Sequence, residues 1–281
     1  MSTTIKPREN RFKKKTSGLS PTIFWRIAEE IPKSLSWVMM SFSIIIPLLG
    51  WFIFSNYSGI DSIFLPSPSN VINALVRLWE KGFLIQDITA SFTRVTIGFL
   101  LSILVAIPLG IMMGSFASIR ALFEPIAGIL RYMPAPAFIP LLIIYLGIDE
   151  APKIALIFIG TLFFNLLMIM DAVKFIPKDL IETTYTLGGS RWQVLLQVIT
   201  PYIVPNMIDA FRINMAASWN LVVVAELLAA SEGLGKRILL AQKFLKTDEI
   251  FACLLVLGLI GFALDLFFRL LLRFTCKWAV K

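Results

Sequence analysis

The chain has 281 residues, of which 57% are hydrophobic and 16% are charged, and its formal net charge is +8. A mean hydropathy of +0.81 is too high for an ordinary soluble domain of this size and indicates an integral membrane protein. Histidine is absent and the two cysteines are Cys253 and Cys276, so histidine-based hydrolysis, histidine-ligated haem and the usual zinc sites lack their ligands.

The positive charge is concentrated before the first apolar stretch, which begins near Leu35. We predict that residues 1–33 form a basic cytosolic tail that ends, at 21–33, in an interfacial helix where isoleucine recurs at every fourth position. The apolar stretch is long enough to span a bilayer and no cleavage site follows it, so we expect a retained span and not a signal peptide. A nucleic-acid partner is not expected for so apolar a chain.

Residues 34–281 are predicted to form a single all-α domain with six transmembrane helices. The spans are expected at about 35–54, 95–114, 120–147, 153–172, 202–230 and 250–272. In this scheme most lysines and arginines lie on the same side of the membrane as the N-terminus, which predicts that both termini are cytosolic. The polar residues 55–87 and the basic, amphipathic residues 231–249 are then expected outside. The second of these segments is interpreted as a surface helix with snorkelling Lys and Arg, or as a landing patch for an acidic partner or an attractor of anions.

Two spans contain residues that affect their packing. The second span has a face of small residues, which predicts close approach of a neighbouring helix. These small residues are Gly98, Ala106, Gly110 and Gly114. The third span contains Pro134, Pro136 and Pro140, and each proline removes a backbone donor, so we predict a kink or an unwound turn within the membrane. Because irregular backbone is tolerated there only where protein or water covers it, this element should border a cavity.

Polar residues inside spans are costly, and they are therefore candidates for function. The candidate pathway residues are Arg131, Met133, Pro134, Asp209, Arg212, Asn214, Ser218, Trp219, Asn220 and Glu226. Asp209 and Arg212 are three residues apart, so they are expected either to neutralise each other or to face the pathway. Arg131 is expected to face an anion or to pair with Asp209 or Glu226.

Two further patterns concern the last two spans. Asn214, Ser218 and Leu221 share a helix face, which predicts a pathway lined by weak polar groups and apolar side chains. Asp265 and Arg269 are four residues apart, as expected for a structural ion pair.

Residues 177–205, between the fourth and fifth spans, carry a distinctive spacing. Glu182-Thr183-Thr184 is followed after three residues by Gly188 and after nine more by Val198-Ile199-Thr200-Pro201. This spacing resembles the EAA loop of bacterial ABC-importer permeases, with two threonines in place of the alanines. The resemblance implies a cytosolic coupling helix, turned by glycine, that docks on an ATPase. The implied contact residues are Glu182, Thr183, Thr184, Gly188, Gly189, Arg191 and Pro201.

Segments elsewhere extend the resemblance over most of the chain. LPSPSNV, RYMPAPAFIPLLIIYLGIDEAPKI, WNLVVVAELLAASEGLG and LLVLGLIGFALDLFFR are similar to permeases of the nitrate, sulfonate, taurine and bicarbonate importers. The resemblance implies a bacterial inner-membrane protein that works as a pair of permease subunits with two ATPase subunits and an extracytoplasmic substrate-binding protein or domain. ATP and Mg²⁺ would be bound by the ATPase subunits, so this chain needs no cofactor and is not itself expected to be an enzyme.

The expected function is therefore ATP-driven import of a small oxyanion. In agreement with it, the sequence contains no G-x-x-x-x-G-K-[ST] motif, so ATP chemistry is expected from another chain. The alternatives are a secondary transporter or channel, a permease for a non-anionic solute, and an intramembrane enzyme. A secondary transporter is not favoured, because no inverted repeat is visible between the two halves of the sequence. The absence of histidine excludes most hydrolytic forms of an intramembrane enzyme.

Overall fold

The computed structural model describes residues 31–279, and the chain divides into two units, Met1–Ser58 and Gly59–Lys281. Within the first unit, helix α1 (Lys33–Tyr57) is apolar and long enough to cross a membrane, as predicted for the first span. The predicted basic tail lies outside the described residues, as does the predicted interfacial helix at 21–33 up to its last few positions.

The second unit is built of helices joined by short connections. They are α2 (Pro68–Glu80), α3 (Phe83–Ser115), α4 (Ala117–Leu130), α5 (Ile139–Leu146), α6 (Glu150–Lys174), α7 (Lys178–Thr186), α8 (Arg191–Gln193), α9 (Thr200–Ala229), α10 (Leu234–Lys243) and α11 (Thr247–Thr275). Over residues 31–279, five helices are long and apolar enough to cross a membrane, or six if α4 and α5 are counted as one bent span. The described part of the chain is all helical, as predicted.

Helices α3 and α6 pack closely along the predicted face of small residues. A Cβ added at Gly98 would lie 2.8 Å from the Cβ of Ile157, and one added at Gly110 would lie 2.9 Å from the Cβ of Ile169. Only glycine leaves room for these side chains, so the two backbones approach each other directly. Helix α9 completes the core, where Phe211 meets Phe99 of α3 edge to face with ring centroids 6.3 Å apart.

The third span is broken, as its prolines predict. Helices α4 and α5 are bent by 87° relative to each other, and a short 3₁₀ turn, Ala135–Phe138, lies between them. Pro136 and Pro140 stand at the starts of the 3₁₀ turn and of α5, where a helix needs no backbone donor. Pro134 precedes the turn in an extended conformation and so prevents α4 from continuing.

Helix α3 begins earlier than its sequence indicates. The second span was expected from about residue 95, yet the helix starts at Phe83 and includes Asp87, Ser91 and Arg94. These three side chains are buried, and each forms hydrogen bonds to other elements. A hydropathy scan cannot anticipate that polar residues on one helix face will be satisfied inside the protein, so the predicted boundary was wrong by about three turns.

We expect Gly110→Leu to lower the amount of folded protein in the membrane, because the new side chain would enter the space held by Ile169. Overpacking of this kind costs about 1–3 kcal/mol. Gly128→Leu in α4 is the matched control, since no atom lies within 4 Å of a Cβ added there. Quantitative detection in membrane fractions and thermal unfolding in detergent measure the effect. An equal loss for both variants would contradict the packing argument.

Candidate functional site

The first half of the EAA-like loop, residues 177–205, is a short helix that ends in a tight turn. After α7, the N–H of Gly188 donates to the carbonyl of Tyr185 at 2.9 Å. The N–H of Gly189 donates to the carbonyl of Thr184, also at 2.9 Å. This is a Schellman motif with Gly188 in the left-handed position at φ +85°. A Cβ at Gly189 would lie 2.8 Å from the Thr184 carbonyl oxygen, so the turn needs both glycines.

The second half of the loop restarts the helix at a capping box. Ser190 Oγ accepts from the N–H of Gln193 at 3.4 Å, and Gln193 Oε1 accepts from the N–H of Ser190 at 2.7 Å. Helix α8 opens with Arg191 and continues through a π-helical turn, Val194–Ile199, into α9. Pro201 lies in the first turn of α9, directly after the π-helical turn, where its missing N–H interrupts the α-helical pattern.

The EAA-like loop has one anchored face and one uncovered face. Ile181, Val194 and Leu195 pack into the core formed by α3, α6 and α9. On the uncovered face, Leu187 is 83% exposed and Trp192 is 66% exposed. Of the predicted contact residues, Glu182, Thr183, Gly188, Arg191 and Pro201 are exposed, and Thr184 and Gly189 are partly buried. The loop is therefore a rigid knob with apolar and charged groups on its surface.

Two predicted pathway residues face the interior of the bundle. Asn214 Nδ2 donates to Asn165 Oδ1 at 2.7 Å, and Asn165 Nδ2 donates to Ser102 Oγ at 3.0 Å. Ser218 is fully buried and donates to the carbonyl of Asn214 at 3.1 Å. The predicted pathway face shared with Leu221 is therefore not formed. Buried polar groups within a membrane must find partners in the protein, and here these partners connect α3, α6 and α9.

Helix α9 is also held to α11. Trp219 is buried, and its Nε1 donates to a backbone carbonyl of α11 at 2.9 Å. Arg212 lies 3.6 Å from Asp209 and 3.5 Å from Asp265, which in turn binds Arg269 at 2.6 Å. The predicted pairs Asp209–Arg212 and Asp265–Arg269 are both present, and Arg212 joins them into one network across the two helices.

Arg131 has a different environment at the bend between α4 and α5. Its guanidinium lies 4.8 Å from the centroid of the Tyr132 ring, and Nη2 donates to the Tyr132 hydroxyl at 2.9 Å. The proposed pairing with Asp209 or Glu226 was wrong, because Asp209 faces Arg212 and Glu226 is bound by Arg94. Arg131 therefore keeps donors that no carboxylate of the described residues occupies.

A cavity of about 320 Å³ opens beside this bend. Its lining includes Arg131, Met133, Pro134, Gly160, Phe163, Asn220 and Leu221. Most of the lining is apolar, and Arg131 supplies its positive charge. Asn220 also borders a second cavity of about 440 Å³ between α9 and α11, which Arg212 and Trp219 line. The bend and α9 thus bring Arg131, Met133, Pro134 and Asn220 to one cavity, as expected for an element broken within the membrane.

Glu226, the last of the predicted pathway residues, belongs to a buried ion network instead. It is fully buried, and its carboxylate accepts from Arg94 Nη1 at 2.6 Å, from Ser91 Oγ at 2.7 Å and from the N–H of Gly235 at 2.8 Å. Arg94 also donates to both carboxylate oxygens of Glu150, at 2.5 and 2.9 Å. The predicted pathway role of Glu226 is therefore replaced by a structural one, in which α3, α6 and α9 meet at the end of the bundle that carries α10.

The connection between α9 and α10 closes over this network. The N–H of Gly233 donates to Asp87 Oδ1 at 2.8 Å, and Arg237 Nε donates to Asp87 Oδ2 at 2.7 Å. Gly233 has φ +134°, and a Cβ there would lie 2.4 Å from the carboxylate carbon of Glu226. Glycine is thus required where the backbone passes the buried carboxylate.

The sequence held a signal for this network that its interpretation missed. Asp87, Ser91 and Arg94 are spaced by four and three residues, which places them on one helix face next to the predicted span. Their partners, Glu150 and Glu226, are distant in sequence, so spacing alone does not pair them.

Comparison with known proteins identifies the class. Residues 106–275 match the family described as binding-protein-dependent transport system inner membrane component, and the chain belongs to this family. It is thus a multi-pass inner-membrane protein and the permease subunit of an ABC transporter. It is 35% identical over 229 residues to a probable ABC transporter permease protein of Brucella melitensis biotype 1, an alignment covering 82% of this chain and 92% of the relative.

A further relative agrees with this assignment, and a solved structure shares the fold. The chain is 32% identical over 259 residues to the taurine transport system permease protein TauC of Escherichia coli K12, covering 90% of this chain and 92% of TauC. A crystal structure of the MetNI methionine ABC transporter in an inward-facing conformation matches 70% of this chain and 97% of its own, with a TM-score of 0.62 and 16% identity. The similarity to MetNI concerns the fold alone. The relatives are membrane subunits and not enzymes.

We expect Arg94→Gln to destabilise the protein strongly, because it leaves the buried Glu226 without its cation and leaves Glu150 with Lys153 alone. Breaking a buried ion pair costs about 3–5 kcal/mol. The double variant Arg94→Gln with Glu226→Gln should regain part of the loss, since the remaining amide can still hydrogen-bond to Ser91 and Gly235. Membrane level and thermal unfolding in detergent are the measurements.

Arg77→Gln is the control for Arg94→Gln. It removes an ion pair with Asp248 whose arginine side chain is 49% exposed, and such surface pairs contribute about 0–1 kcal/mol. A wild-type membrane level for Arg94→Gln, or no recovery in the double variant, would contradict the assignment of a structural pair.

Proposed function

We propose that this chain forms the transmembrane pathway of an ATP-driven importer for a small oxyanion and couples movements of its ATPase partners to alternating access. The observation that supports coupling most directly is the rigid knob of the EAA-like loop. Its glycine turn and capping box fix its shape, its inner face is packed in the core, and Leu187 and Trp192 are exposed on its outer face. A preformed protrusion of this kind suits a cleft on a soluble partner.

The proposed topology places this knob in the cytosol. Six crossings, counting α4 and α5 as one, put both termini on one side of the membrane. The excess of lysine and arginine on the N-terminal side supports a cytosolic location for that side. In this topology the knob between α6 and α9 lies in the cytosol, and α2 and α10 lie on the extracytoplasmic side.

The proposed assembly pairs two copies of this chain with two ATPase subunits, which bind ATP and Mg²⁺, and with an extracytoplasmic binding protein. The bend between α4 and α5 supports a second copy. Its backbone is irregular at membrane depth, and Tyr132 there is 76% exposed. Such backbone requires cover by protein or by a water-filled cavity, and a facing copy of the same element supplies both.

An oxyanion is the proposed solute because Arg131 supplies positive charge to the cavity at the bend. The relative TauC is by name a taurine permease, and taurine carries a sulfonate. One cation beside Tyr132, in a mostly apolar lining, stabilises an anion weakly, which suits a path that must release its solute.

We predict that Gly188→Leu leaves the protein in the membrane but abolishes ATPase association. Leucine would draw φ from +85° towards the ordinary left-handed value of about +57° and so reshape the turn. Gly59→Leu is the matched control, because Gly59 has φ +73° and no atom within 4 Å of an added Cβ, and it lies far along the chain from the knob. Co-purification of the ATPase subunit and uptake are measured. Normal association for Gly188→Leu would exclude the loop as the docking element.

We also predict opposite outcomes for the two arginines that border the cavities. Arg131→Gln should keep a normal membrane level and reduce uptake about tenfold, the effect of losing one charge-assisted hydrogen bond. Arg212→Gln should lower the membrane level because Asp209 and Asp265 lose their shared cation. Adding Asp209→Asn should restore part of that level. Unchanged uptake in Arg131→Gln would contradict its role in the pathway.

A further inference from the structure

The turn between α10 and α11 has an unusual backbone. The N–H of Leu245 donates to the carbonyl of Gln242 at 3.1 Å, and the N–H of Lys246 donates to the carbonyl of Ala241 at 2.9 Å. This is a second Schellman motif, with Leu245 in the left-handed position at φ +54°. Among the described residues, Leu245 is the one non-glycine residue with positive φ.

The strain at Leu245 is not offset by packing within the chain. The equivalent position after α7 is occupied by Gly188, so the same fold uses glycine where the turn alone matters. A side chain with a Cβ is disfavoured in this conformation. Leu245 is nevertheless 69% exposed and its neighbour Phe244 is 70% exposed. An apolar side chain kept in a strained and exposed position indicates a contact with another molecule.

The surface around the turn is concave and carries several charged side chains. We name residues 243–246 the α10 tip. Beside it is a hollow of about 150 Å³ lined by Arg77, Lys81, Phe83, Arg237, Leu240, Phe244, Lys246 and Glu249, among others. Three of these cations are paired within the chain, Arg77 with Asp248, Arg237 with Asp87 and Lys246 with Glu249, and Phe83 supports Arg237 with its ring centroid 4.3 Å away. Within the described residues Lys81 and Lys243 form no ion pair, so the uncompensated positive charge of this surface lies on these two lysines.

We propose that the α10 tip and this hollow form the docking surface for the extracytoplasmic binding protein. Phe244 and Leu245 insert into an apolar pocket of the binding protein, and carboxylates around that pocket face Lys81 and Lys243. This rests on the proposed function for its sidedness and for the existence of the binding protein. A small apolar anchor surrounded by complementary charges is the usual composition of a binding hot spot.

The position of the tip favours a protein partner over lipid. Lys246, Asp248 and Glu249 stand between Leu245 and the apolar run of α11, so the tip lies beyond the charged first turn of the span. Insertion into hydrocarbon would draw these charges towards the bilayer, which is costly.

The test separates strain from binding at one position. The permease–ATPase complex in lipid nanodiscs is titrated with the solute-binding protein that stimulates its ATP hydrolysis. In Leu245→Gly the strain is relieved, so thermal stability should rise, yet half-maximal stimulation should require about tenfold more binding protein because the anchor is lost. Leu245→Ala should weaken stimulation similarly without the gain in stability, and Leu245→Met should behave as the wild type.

Three outcomes would overturn the proposal. Normal stimulation of Leu245→Gly and Leu245→Ala would exclude the tip as the docking surface and leave the proposed function intact. If no binding protein stimulates the wild-type complex, the proposed function and the docking surface fall together. If a fluorophore on Leu245→Cys is quenched by lipid-attached quenchers before any binding protein is added, the tip is a membrane anchor. Protection of that fluorophore on addition of the binding protein is the expected result.

Discussion

The arrangement of the helices depends on a single buried arginine. Arg94 has almost no exposed surface, and it binds Glu226 of α9 and Glu150 of α6. A charge in this position is tolerated only when carboxylates surround it, so three helices must meet at that point. The pair adds little net stability compared with an apolar core, but it excludes other registers of the three helices, since each would leave a charge unpaired. The hydrogen bonds that link Ser102, Asn165 and Asn214 favour the same register further along the bundle with neutral groups.

The features that were predicted from sequence are those that local chemistry determines. Glycine spacing predicted the close packing of α3 and α6, proline predicted the bend after α4, and the pattern around Gly188 predicted the turn of the EAA-like loop. The errors concern polar side chains whose partners are distant in sequence. Asn214 and Glu226 could as well have faced a pathway by spacing alone, and only the fold shows that α6 and α3 supply their partners.

The arginines that were considered as pathway groups show why residue type alone does not define a function. Arg212 lies between two aspartates and joins α9 to α11. Arg131 stands on Tyr132 at an irregular turn and faces a cavity. The two side chains have the same charge, but the first is neutralised locally and the second contributes its field to the space beside it. The environment of each arginine therefore separates a charge neutralised between helices from a charge beside a cavity.

The continuity of α8, the π-helical turn and α9 has a mechanical consequence. Residues Arg191–Leu227 form a continuous helical segment of 37 residues that includes the π-helical turn, and at 1.5 Å per residue it is about 55 Å long. Its first turn belongs to the knob, and Glu226 near its last turn is fixed by Arg94. Over this length a tilt of about 5° at one end displaces the other by about 5 Å. Under the proposed coupling, a displacement of the knob would therefore reach the Glu226–Arg94 salt bridge, the most deeply buried ion pair of the described residues.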